Sequence, residues 1–167
     1  MPVMTLEGIQ EAVATHLSRL GEKLRRDKLR TGYVSIYIRS SPFKEGYTRQ
    51  DAFKIITPPT NDTYTLLKEV LPATVSLFQK GISYKKAGVL ACDLSPESSS
   101  QPKLIPIASD LSERSPILDK TIDSLNQRFG KGTIRYAVCG LRPQWKTKSI
   151  KKSPSYTTAW SQLKVVT

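Results

Sequence analysis

Histidine and cysteine are almost missing from this chain of 167 residues. His16 stands alone, which excludes nearly every zinc site and every catalytic pairing of serine or cysteine with histidine. Cys92 and Cys139 lie far apart, form no C-x-x-C pair and make no disulfide framework, as expected in a reducing cytoplasm. No apolar run approaches the roughly 18 residues of a membrane span, and no charged-then-apolar leader opens the chain. No membrane partner is expected. Acid is scarce as well: 14 Asp plus Glu face 26 Lys plus Arg, a net charge of +12. From residue 131 onward no acid occurs at all, while basic residues alternate with Tyr136, Trp145, Tyr156 and Trp160. Cations interleaved with rings suit a polyanion that carries bases, against the plainer reading of a solvated basic tail.

What is present is patterned. Leu6, Ile9, Val13, Leu17, Leu20 and Leu24 form one helical stripe. Thr5 is placed to cap that helix, Arg25, Arg26, Lys28 and Arg30 complement its far end, and Gly32 is its expected stop. Tyr33 to Arg39 alternates as a half-buried strand, with Val34, Ile36 and Ile38 on one face. Ala52 to Thr57 is a second strand, Phe53 and Ile55 opposing Lys54, and Pro58-Pro59 is expected to stop it. A second helix begins after Asn61 or Asp62, runs through Leu66, Leu67, Val70, Leu71, Val75 and Phe78 with a kink at Pro72, and ends at Gly81. Tyr84 to Cys92 is a third strand. Beyond a Ser-rich linker, Ile117, Ile122, Leu125 and Phe129 mark a helix ending at Gly130, and Thr133 to Val138 reads as a strand.

Five blocks in this order carry a resemblance. They are Ser41-Pro42-Phe43, Phe53 to Pro58, Tyr84 to Val89, Leu125 to Thr133, and Ser153 to Thr158. Together they resemble the C-terminal part of UmuC-like Y-family translesion DNA polymerases, the little finger plus its C-terminal extension. The resemblance implies an α+β fold: a little-finger-like, mostly antiparallel sheet with two helices on one face. The family's opening strand would be missing. A linker and a small helix-plus-strand C-terminal extension would follow. The expected division is a DNA-binding domain over 1–94, a linker with a clamp-binding peptide over 95–113, and a basic extension over 114–167.

The same resemblance implies function. The chain would hold primer-template DNA for an error-prone polymerase of the SOS response and DNA repair. It would have no catalytic residue, metal or cofactor of its own, the full polymerase using Mg2+ held by carboxylates of its palm. The alternative is a truncated or remnant fragment that binds clamp or DNA without catalysis; a generic basic RNA-binding protein is a weaker third. Tyr37, Arg39, Lys54 and Lys86 are expected on a basic sheet face turned away from the helices, with Lys85, Lys131 and Arg135 as further DNA contacts. Gln101, Leu104 and Ile105 occupy the place of a sliding-clamp peptide, although Pro102 and Ile105 depart from its usual residues. The processed UmuD dimer, the RecA filament and a separate polymerase core chain are further implied partners, and a cytoplasmic, nucleoid-associated location follows. The acids Asp93, Asp110, Asp119 and Asp123 read as solvated surface, and Gly130-Lys131-Gly132-Thr133 as a turn.

Overall fold

A computed structural model of the chain describes residues 2–43, 46–99, 115–141, 145 and 153–163. The first helix, α1 (Leu6–Arg26), starts where expected: Thr5 is extended and its hydroxyl accepts a hydrogen bond from the Gly8 amide at 3.2 Å. Its apolar stripe is buried through Ile9, Val13, Leu17 and Leu24. The helix stops at Arg26, well before Gly32, because Lys28 turns the chain with φ 54°. Gly32 lies inside the next strand instead, where a Cβ would collide with the Asp93 carboxylate.

Three strands form one antiparallel sheet in the order β2-β1-β3: β1 (Leu29–Ser40), β2 (Arg49–Thr60) and β3 (Tyr84–Pro96). Val34, Ile36 and Ile38 project from central β1 and are completely buried under α1 and α2 (Thr63–Val70). The α+β architecture with its antiparallel sheet is as expected. β2 runs past Pro58 and Pro59, contrary to the expected stop, and pairs again at Thr31↔Thr60. An edge strand can carry prolines because one row of its amides needs no partner in the sheet.

The kink at Pro72 is a complete break. α2 ends at Val70 and a short α3 (Ala73–Leu77) restarts after the proline, which has no amide hydrogen to continue the ladder. Gly81 therefore caps no helix; with φ 91° it turns the chain into β3. The Val3 amide and carbonyl exchange hydrogen bonds with Tyr84 at 2.8 and 2.9 Å, one bridge beside the start of β3.

The last helix, α4 (Ser115–Phe129), does not bury the stripe expected of it: Ile117 is 72% and Phe129 62% exposed, whereas Asp119 is buried. The expected strand over Thr133 to Val138 is absent; a turn leads to a single 3-10 turn at Ala137–Cys139. Side chains of α4 and the turn satisfy this backbone in place of a neighbouring strand. Asn126 accepts from the Ile134 amide and donates to its carbonyl, both at 2.9 Å, and the Thr133 hydroxyl donates to the Gly130 carbonyl. The turn returns to the core, where Cys139 is buried and its Sγ lies 3.5 Å from Ser18 Oγ. No described helix is long and apolar enough to cross a membrane.

Candidate nucleic-acid interface

Register decides which side chains share the face turned away from the helices, because partners across antiparallel strands point the same way. Arg39 lies between Arg49 on β2 and Lys86 on β3, so three cations form a row across one end of that face. Asp51, two residues along β2, neutralises part of it: Arg49 Nε donates to Asp51 at 3.0 Å, an exposed pair. Its hydrogen bond with Asp51, and then the Asp51 charge, raise the Arg49 pKa above the ordinary value against the opposing effect of burial.

Tyr37 sits beside the row. It pairs with Gly88, and any Cβ at position 88 would collide with the Tyr37 ring, so the ring lies across bare backbone. The Arg39 guanidinium carbon is 6.0 Å from the centre of the same ring, within reach of a cation–π contact. Tyr37, Arg39 and Lys86 are thus brought together as expected.

Lys54 is not. It pairs with Val34, whose side chain is in the core, so Lys54 is on the helix side of the sheet, at the exposed outer strand. The alternation along β2 was legible, but its polarity is reversed: Phe53 and Ile55 point to the open face, 61% and 71% exposed. A lysine can take the inner side of an edge strand because its stem lies along apolar surface while the ammonium reaches water. The open face is accordingly less uniformly basic than expected. Next to the cationic row come Asp51, Tyr37 and Gly88, then Phe53 and Leu90 on either side of Ser35, and then Tyr33 with Ile55.

The other expected contacts lie at the outer side of β3. Lys85 is exposed at the irregularity between the Arg39↔Lys86 and Ser40↔Tyr84 pairs. With Tyr37, Lys86, His16, Arg19 and Trp145 it lines a cavity of about 350 Å³. The His16 ring is 5.7 Å from that of Trp145, and burial, then the nearby Arg19 charge, lower its pKa. Lys131 and Arg135 line a neighbouring cleft of about 680 Å³ that also reaches Tyr37. Arg135 is committed in part to its own turn, donating to the Gly132 and Gly140 carbonyls at 3.2 and 3.3 Å. Gln101, Leu104 and Ile105 lie outside the described residues.

Sequence reasoning missed one constellation. Asp119, expected at the surface, accepts from Arg25 Nη1 at 2.7 Å, from the Thr63 amide at 2.9 Å and from the Tyr136 hydroxyl at 2.9 Å. Asp123 accepts the other side of the same guanidinium at 2.7 and 2.9 Å. Burial works against the Arg25 charge, and the Asp123 hydrogen bond with the two carboxylate charges outweighs it, so its pKa is raised. Burial and the Asp119 hydrogen bond push the Tyr136 hydroxyl well above the ordinary phenol value. The only available signal was the i, i+4 spacing of the two aspartates on a helix, which fits a solvated face equally well. These acids are occupied with holding α4. Among the described residues no group of three acidic, histidine or cysteine side chains is placed to hold a metal ion.

One face of the sheet is covered by helices, and the other is open with cations along one end. Over residues 1–104 the chain matches the impB/mucB/samB family C-terminal domain, and it belongs to that family. Residues 117–166 match a second domain, of unknown function (DUF4113). Among relatives, the protein SamB of Salmonella typhimurium is 32% identical over 96% of this chain, and the protein ImpB of the same organism 32% identical over 94%. The protein UmuC of Salmonella typhimurium is 29% identical over 96% of the chain. The chain spans 38% of the length of SamB and of UmuC and 37% of that of ImpB. The resemblance to the C-terminal part of UmuC-like proteins holds across nearly the whole chain.

Proposed function

We propose that this chain is the DNA-holding part of a UmuC-like translesion polymerase acting in DNA repair, and that its open sheet face grips primer-template DNA by the backbone. The observation that carries this reading is the row Arg49–Arg39–Lys86 on one exposed face. The excess of 26 basic over 14 acidic residues supports it, since a charge of +12 draws any polyanion. Contacts to phosphates tolerate every sequence, which suits a protein that must follow damaged templates. In this reading the chemistry of synthesis belongs to other parts of the polymerase, and Asp119 and Asp123 serve to hold α4 through Arg25. The three-part division at 94 and 113 and the clamp peptide at Gln101, Leu104 and Ile105 remain part of the proposal on sequence alone. Binding to a purified sliding clamp, with and without Gln101→Ala, is the test of that peptide.

Duplex binding across a salt series tests the central reading. The logarithm of affinity falls linearly with that of salt, with a slope of about 0.9 per phosphate neutralised. Arg39→Ala with Lys86→Ala is expected to flatten the slope by about one unit per lost contact and to weaken all sequences alike. Lys54→Ala, on the other side of the sheet, should leave the slope nearly as it is. An unaltered slope in the double variant removes the open face from the DNA.

A further inference from the structure

Cations account for one end of the open face and leave the rest of it unexplained. Phe53 and Ile55 on β2 and Leu90 on β3, on either side of β1, are 61%, 71% and 58% exposed. The rings of Tyr33 and Phe53 lie nearly parallel, 17° apart in plane with centres separated by 5.4 Å. Tyr37 spreads a further ring over Gly88, and Arg39 lies 6.0 Å from its centre. Outward residues follow one another every second position along β1, so Tyr33 to Arg39 covers about 20 Å.

A duplex has no use for exposed rings, because its bases already stack on one another and it shows its surroundings phosphates and groove edges. An unpaired strand is different: every base has a free flat face, and stacking on an aromatic side chain is indifferent to which base it is. A purely apolar partner is disfavoured by the cations that border the patch, and the pairing of Asp51 with Arg49 offsets an acid that would repel a polyanion there. Charge and flatness together select a polyanion with exposed rings.

We propose that the open face binds single-stranded DNA laid along β1, an unpaired base stacking on the Tyr33–Phe53 pair while Arg39 and Lys86, at the far end of the face, hold phosphates a few nucleotides further along the same strand. This rests on the nucleic-acid reading above and specifies the form of DNA that the face prefers. The DNA strand would run along β1, from the stacking pair at Tyr33 and Phe53 to the cationic row at Arg39.

Fluorescence anisotropy with the full chain decides it, using three labelled probes of equal length: oligo-dT, the same strand with abasic sites, and a duplex. The chain is expected to bind oligo-dT about tenfold more tightly than the abasic strand, whose phosphates are the same. Phe53→Ala should lower oligo-dT affinity about tenfold and leave duplex affinity within about twofold; Phe53→Trp should restore it. Phe53 is exposed, so both variants are expected to fold, which circular dichroism checks. Equal binding of oligo-dT and abasic strand overturns the stacking proposal while leaving backbone binding intact. Absence of binding to all three probes overturns both. If Phe53→Ala turns a dimer into a monomer in sedimentation and leaves strand binding unchanged, a second copy covers the face and the proposal fails.

Discussion

α1 is held on two sides by opposite chemistry. Toward the sheet it presents Ile9, Val13, Leu17 and Leu24 to Val34, Ile36 and Ile38, and nothing there depends on charge. Toward α4 it presents Arg25, with a side chain only 10% exposed, to Asp119 at 2%. Apolar packing loses stability by degrees when one group is trimmed. An ionic contact out of water behaves otherwise: each partner is tolerable only because the other is present, and removing one leaves an uncompensated charge. The sheet side of α1 is therefore a graded contact and the α4 side a conditional one.

Arg25→Ala attacks this contrast most directly. It is expected to cost about 3–5 kcal/mol where α4 docks, the range for breaking a buried pair from one side. Amide exchange should show α4 opening while β1 stays protected. Leu17→Ala should cost about 2–5 kcal/mol and lower protection in the sheet as well. If both variants loosen the same amides to the same extent, the two sides of α1 belong to one cooperative unit and the contrast collapses.

Tyr136→Phe is a milder version of the same attack. It deletes one of three donors to Asp119 and keeps the ring, for an expected loss of about 1–2 kcal/mol in chemical denaturation. The smallest effect concerns His16, which faces Arg19 from its own helix, Lys85 and Lys86 from β3, and the Tyr37 and Trp145 rings. Its folded pKa is below the free value of about 6.5, so the unfolded chain binds the proton more readily. Stability from this group is complete above about pH 6.5 and is lost as pH falls below it, levelling off once the folded form also titrates. Urea midpoints at about pH 7.5 and 5.5 should differ by more in the parent than in His16→Gln. An equal difference would mean that His16 is as free in the fold as in the unfolded chain.

Much of the fold was legible because it rests on periodicity. The stripe from Leu6 to Leu24, the Thr5 cap, the alternation of β1 and the interruption at Pro72 all follow from local rules, and the structure obeys them. Three features were hidden because each depends on a partner outside its own segment, distant in sequence for Lys54 and Asp119 and eight residues back for Ile134. The face taken by Lys54 is fixed by its register against Val34. The burial of Asp119 is fixed by Arg25, 94 positions away. The failure of residues 133–138 to become a strand is fixed by Asn126 supplying the backbone partners that a neighbouring strand would otherwise give. Of the interface, Tyr37, Arg39 and Lys86 were readable as types on one face. Tyr33 was readable from the same alternation, whereas Arg49 and Phe53 were not, since only the pairing of β1 with β2 brings them alongside.

Gly88 stands in mid-strand, where glycine is worse than alanine by roughly 0.5–1 kcal/mol. It persists beneath the Tyr37 ring, and the ring returns part of that loss by covering the bare backbone. The two positions, 51 residues apart in the chain, are therefore expected to be inherited as a pair. A homologue that gains a side chain at 88 must tilt or shorten the residue at 37, and one that loses the ring has no further need of glycine. Co-variation between these two columns in an alignment would trace, through the lineage, how long this face has kept a flat ring on its surface.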